Sequence, residues 1–163
     1  MYQHPRFNFK CTDIGHVASS YRSVLSGLQK LNLEQVVYET AKGLVNSSLA
    51  TGEEILGYAG TELDKALKTR DMLLYRNALD KAFLSMIIAV NSYINRKLGI
   101  TPKSHDERRS MLRKIEREDI RAIYSDVMRT LHDEAFCEGV YNPEEAKYAI
   151  ALVRRMLEEF KKS

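Results

Sequence analysis

The stretch Asp71–Leu98, DMLLYRNALDKAFLSMIIAVNSYINRKL, is what any fold of this chain must accommodate first. It runs for twenty-eight residues without a proline or glycine. Its centre, Ala82–Ile94, is apolar on nearly every side. A helix that is apolar all round is buried by its neighbours, whereas a surface helix shows one apolar stripe. The longest run without charge, Ala82–Asn95, is fourteen residues. A bilayer crossing takes about twenty, so the stretch is expected at the centre of a helical bundle and not in a membrane.

The flanking segments supply the walls. Leu33, Val36, Val37, Ala41, Leu44 and Val45 repeat at helical spacing, as do Tyr21, Val24, Leu25 and Leu28 before them. Four glycines between Gly43 and Gly60, with Asn46, Ser47 and Ser48 among them, predict a break near residues 47–51. Thr51 and Glu54 then read as a capping box opening a helix with Leu56, Ala59, Leu63 and Ala66 on one stripe. Asp71 is placed to cap the central helix, and Gly99 with Pro102 to end it. Ser104 opens a short helix with Met111, Leu112 and Ile115. The next helix follows Glu118 with Ile120, Ile123, Tyr124, Val127, Leu131 and Ala135, and is stopped by Gly139. Asn142 and Pro143 start the last one, whose stripe runs Ala146, Ala149, Ile150, Val153, Met156, Leu157 and Phe160. The expected fold is all-α: an up-and-down antiparallel bundle of about five helices over residues 51–163. Residues 1–50 form an N-terminal arm and helical extension.

Composition narrows the classes of function. A net charge of +3 is too small to argue for nucleic acid by itself. The two cysteines, Cys11 and Cys137, stand in no metal or redox spacing and read as reduced thiols. His4, His16 and Cys11 match no standard metal site, so no metal and no cofactor is expected. No signal-like apolar run opens the chain, and a cytoplasmic protein is expected. Between Lys103 and Arg129, eight basic residues are interleaved with six acidic ones, which favours a solvated face laced with helical ion pairs. Within it, Arg109, Arg113 and Arg117 follow at spacing four, with Arg121 beyond, as a candidate ridge for phosphate.

The order of signatures then carries a resemblance. Tyr75-Arg76-Asn77-Ala78 with Lys81-Ala82 lies on the long helix. Pro102-Lys103-Ser104-His105 follows it, then Leu131-His132-Asp133-Glu134-Ala135-Phe136, then Tyr141-Asn142-Pro143-Glu144-Glu145-Ala146. Over residues 51–161 this resembles the HEPN superfamily of small helical domains, in particular its archaeal PaREP-type members. The resemblance implies a four- or five-helix bundle that often pairs as a homodimer. Members include metal-independent ribonucleases, partners of minimal nucleotidyltransferases and non-catalytic binding units. The ribonucleases carry an arginine shortly before a histidine near the end of the penultimate helix. His132 stands where that histidine would be. The positions five and six before it are Val127 and Asp126, so the arginine would have to be Arg129 or Arg121.

Cutting RNA without a metal needs a base near neutral pKa and a cation for the charge developing on phosphate. His132 with Arg129 could supply these. Arg129 also has a structural use, an Asp126–Arg129–Asp133 ladder along one helix face. With the arginine out of place, the expected function is a non-catalytic, homodimeric binding module for nucleotide, RNA or a protein partner. A ribonuclease using His132 with Arg129 or Arg121, and a partner subunit for a nucleotidyltransferase chain, are the alternatives. The long helix is expected to serve structure, with the chemistry on the later helix.

Overall fold

The computed structural model describes residues 33–162, with side chains from residue 47 onward. The arm and helix expected within residues 1–32, with His4, Cys11 and His16, lie outside the described residues. Five α-helices are described: α1 Leu33–Thr69, α2 Met72–Leu98, α3 His105–Lys114, α4 Glu118–Val127 and α5 Pro143–Lys162. No strand occurs among the described residues, and the fold is an all-α helical bundle. No described helix is long and apolar enough to cross a membrane.

The local signals set most helix ends. Asp71 caps α2, its carboxylate accepting from Leu74 N at 3.0 Å. Gly99 ends α2 with φ +68°, and its N–H closes on Asn95 O at 2.7 Å. Ser104 caps α3 by accepting from Glu107 N at 3.1 Å. The Glu107 carboxylate reaches back one residue further than a standard capping box, accepting from Lys103 N at 2.6 Å. Asn142 accepts from Glu145 N ahead of α5.

α2 lies at the centre as its sequence requires. Its buried residues, among them Tyr75, Ala78, Phe83, Met86, Val90 and Ile94, take up more than half of its circumference, while Leu84 and Ile88, expected to be enclosed as well, lie on a remaining face that is only partly buried. α1 lies along it after a tight turn at Arg70–Asp71, and α3, α5 and the helical rod from Glu118 pack on its other sides.

The break expected near residues 47–51 is absent, because α1 runs unbroken from Leu33 to Thr69. The expected division at residue 50 therefore falls inside a helix. Thr51 is no N-cap either; its hydroxyl donates to Ser47 O at 2.9 Å within the helix. The physical reason lies in the seam facing the bundle: Leu49, Gly52, Leu56, Ala59, Leu63 and Ala66, alternating three and four residues apart and large with small. Gly52 sits against α2, where Ser85 Oγ donates to its carbonyl at 2.7 Å. A Cβ there would stand 3.2 Å from Leu157. The glycine is a close-approach residue in a helix held by tertiary packing, which overrides its weak intrinsic propensity.

The helix expected over residues 118–136 is continuous but changes pitch. α4 ends at Val127, and Met128–Cys137 continue it as a π-helix of ten residues. π geometry is rare, occurs mostly as single turns, and is often found at functional sites. Here it carries His132.

Candidate functional site

Three residues on one stripe of α2 meet the π segment. Arg76 donates from Nε to Phe136 O at 2.7 Å and from a second guanidinium nitrogen to the same carbonyl. One turn on, Asp80 Oδ1 lies 3.2 Å from His132 Nδ1. Phe83 follows, its ring centroid 5.2 Å from the His132 imidazole. Phe136 stacks on the same imidazole at 5.8 Å. The His132 side chain is only 12% exposed. The long helix thus contributes directly to the candidate site, contrary to the expectation that the chemistry would sit on the later helix alone.

A second histidine joins from α3. The His105 ring lies 6.0 Å from that of His132 and 5.4 Å from Phe83. Its Nδ1 is 2.6 Å from the Tyr124 hydroxyl. Burial pushes the Tyr124 phenol up to about 12, against the lowering charge of Arg108, so the phenol keeps its proton. His105 is held below the usual histidine range, first by burial, then by the charges of Arg108, His132 and Arg109, with Asp133 opposing. It is neutral near pH 7.

Beside this pair stands Arg108. This residue is 6% exposed, in a class that is almost never buried without a charged partner. Its Nε donates to Asn91 Oδ1 at 2.8 Å, and its charge acts on the nearby Tyr124 hydroxyl. Both groups are neutral. α2 supplies Asn91, α3 supplies Arg108 and His105, and α4 supplies Tyr124, so three helices converge on one buried guanidinium. Nothing in the sequence singled out Arg108 from the seven other basic residues around it; burial is a tertiary fact.

The arginines of the candidate ridge are placed differently. Arg109 pairs with Asp106, and Arg121 with Glu118. Arg117 binds Asp119 at 2.7 Å, Glu159 at 2.6 Å and the Tyr93 hydroxyl at 2.8 Å; the Asp119 bond, ahead of the loss from burial, drives its pKa upward. Arg113 is exposed and adds its charge to Arg121 in holding the Glu118 carboxyl low. The row is also interrupted, because α3 ends at Lys114 and Glu116 turns the chain with φ +59°.

Arg129 reaches Asp126 at 2.7 Å and Glu134 at 2.6 Å, while His132 meets Asp80. The ladder expected to reach Asp133, four residues on, goes to Glu134, five residues on. This follows from the π register, in which hydrogen bonds join residues five apart. The same register brings Cys137 Sγ to 3.9 Å from His132 Nε2.

A separate hollow of about 10 Å³ is lined by Tyr75, Thr130, Glu134, Asn142 and others, and Thr130 Oγ1 is buried beside it without a hydrogen bond. It has room for about one water molecule and none for a substrate. Among the described residues, no group of three histidine, cysteine or acidic side chains is placed to hold a metal ion. Comparison with protein-family models, with curated proteins and with solved structures gives no match. What the fold and the site define is a class: an all-α bundle with a histidine-rich polar cluster buried among its central helices.

Proposed function

We propose that the chain is a non-catalytic, HEPN-like helical binding module, working as a homodimer and taking a phosphate-bearing ligand, a nucleotide or RNA segment, at Arg108 and His105. The observation that carries this reading is the guanidinium of Arg108, buried with only neutral partners. A buried cation so placed gains more from an anion than a surface arginine does, because little water competes. His105, neutral near pH 7 and close to Arg108, adds an imidazole that can hydrogen-bond such a ligand. The binding reading is favoured over cleavage because Arg129 and Arg121, the cations a ribonuclease would need, are engaged by carboxylates of their own helical rod. Homodimer formation is suggested by apolar residues left exposed around the start of α2 and the loop before α5: Met72, Leu73, Val140 and Tyr141.

Titration calorimetry with a 5′-phosphorylated hexauridylate, and with inorganic phosphate as competitor, tests the reading. The full chain binds the oligonucleotide, and Arg108→Met weakens binding about tenfold or more, the equivalent of one charge-assisted hydrogen bond. Equal affinity in the variant refutes the assignment. RNA cleavage in EDTA that His132→Ala abolishes would replace this reading with the ribonuclease. Sedimentation of the full chain decides the dimer.

A further inference from the structure

The π segment does more than move an ion pair. It aligns a thiol, an imidazole and a carboxylate: Cys137 Sγ is 3.9 Å from His132 Nε2, and His132 Nδ1 is 3.2 Å from Asp80 Oδ1. We propose that these three residues form an activated-thiol site, at which Cys137 is oxidised by a small peroxide to a sulfenic acid.

The order nucleophile, base, orienting carboxylate is the arrangement that activates weak nucleophiles. It exists here only because of the helix pitch. In an α-helix, residues five apart point about 140° away from each other around the axis, and Cys137 would face away from His132. With hydrogen bonding between residues five apart, they stand one above the other. Asp80 fixes the imidazole from α2, and the rings of Phe83 and Phe136 pack against it.

One local factor opposes a thiolate: Cys137 is the last residue of the helical rod, where the backbone dipole is negative. Arg76 offsets it. Its guanidinium binds the carbonyl of Phe136, the peptide oxygen immediately before Cys137. Among the described residues, the charged and titratable groups near the thiol and its base include Arg76 and Asp80 from α2, His105 from α3 with Arg108 behind it, and Asp133 and Glu138 on the chain beside them. Cys137 is exposed, so a small oxidant reaches it directly. Exposure beside a histidine that can take the thiol proton is a setting in which reactive cysteines are found.

The step balances as follows. The Cys137 proton passes to His132 Nε2. The thiolate sulfur attacks one oxygen of hydrogen peroxide, forming the S–O bond as the O–O bond breaks. Sulfur is oxidised by two electrons and the peroxide is reduced. The leaving hydroxide takes the proton from His132 and departs as water, leaving Cys–SOH and neutral histidine.

The test uses the reduced full chain with Cys11→Ser, so that one thiol reports. Alkylation by iodoacetamide is followed by mass spectrometry across pH, in the native chain and in urea. The native midpoint lies below the urea midpoint, and at pH 7 the native thiol reacts at least about threefold faster, the gain in thiolate being partly offset by its lower nucleophilicity. His132→Gln and Asp80→Asn, each checked for native circular dichroism, bring the midpoint back toward the urea value. A variant that loses its native spectrum is replaced by comparison of wild type in buffer and urea alone. Hydrogen peroxide with dimedone gives a single adduct on Cys137 in the native chain. Coincident native and urea midpoints, or a native midpoint unmoved in folded His132→Gln, overturns the proposal. These readouts involve no phosphate ligand, so they stand or fall apart from the binding reading.

Discussion

Replacing Arg108 by methionine separates a ligand-binding role from a structural one, because the two predict opposite signs. Methionine keeps an unbranched apolar stem and removes the charge. Lost with the guanidinium are its bond to Asn91 and its charge beside the Tyr124 hydroxyl. A bond to a charged group contributes about 1.5–3 kcal/mol. Against this stands the desolvation of a cation that is 6% exposed, several kcal/mol even after relaxation and water penetration. Asn91 is only half-buried and recovers water at its freed oxygen. Tyr124 keeps its bond to His105. The balance is a variant more stable than wild type by about 1 kcal/mol, or about 2–4 °C in Tm for a chain of this size. The same variant loses the phosphate ligand. Urea titration with the midpoint compared at constant slope measures the first, and calorimetry the second. Arg108→Lys keeps a buried charge and loses the planar fork, so it is no more stable than wild type and binds more weakly. A loss of more than about 1 kcal/mol in Arg108→Met would show that the guanidinium holds the fold together, and the argument from its neutral partners would fail.

Three further outcomes follow from the helices. Gly57→Ala and Gly60→Ala meet nothing within 4 Å of the new Cβ, and each should stabilise α1 by about 0.8–1 kcal/mol; destabilisation in thermal melts would mean that the glycines break α1. Gly99→Ala forces alanine into φ +68° at the end of α2 and should cost about 1–2 kcal/mol in the same melts; an unchanged midpoint would contradict the left-handed cap. His105 titrates below its unfolded value because burial, then Arg108, disfavours its charge. Below a pH of about 6.5 the unfolded chain takes up this proton first, so stability falls as pH drops toward the folded pKa. Urea midpoints at pH 5 and 7 should therefore differ less in His105→Gln than in wild type, and an equal or larger difference in the variant refutes the assignment.

What could be read from the sequence was whatever is decided within one turn of the chain. Asp71, Ser104, Gly99, Gly139 and Asn142 punctuate helices by local hydrogen bonds and by conformations that need no partner elsewhere. The central position of α2 was legible for a related reason, since its broad apolar surface needs several neighbours, although the face with Leu84 and Ile88 stays partly exposed. Gly52 was misread because a glycine has two uses, and only the facing surface selects between them. Without Ser85 and Leu157 in place it looks like a break; with them it is a point of contact. Arg108 was passed over because a run of mixed charge does not say which member turns inward.

The π segment is the largest of these differences, and it decides the site. Periodic reading assumes one pitch, and on that assumption His132 faces Arg129 and Cys137 faces away. The buried stripe runs Ile120, Tyr124, Val127, Leu131, Ala135, and its steps of three and four are those of an ordinary α-helix, so the periodicity carried no sign of the wider turn. What α2 adds is a two-point hold on that turn. Asp80 takes the imidazole of His132 and Arg76 takes the Phe136 carbonyl, four residues apart on α2 and four apart on the rod. A rod gripped at both points by one straight helix has its register fixed from outside. The pairings Arg129–Glu134 and His132–Cys137, each five residues apart, are the consequence. The stretch Asp71–Leu98 therefore does more than centre the bundle, because its polar stripe holds the pitch that brings thiol, imidazole and carboxylate into line.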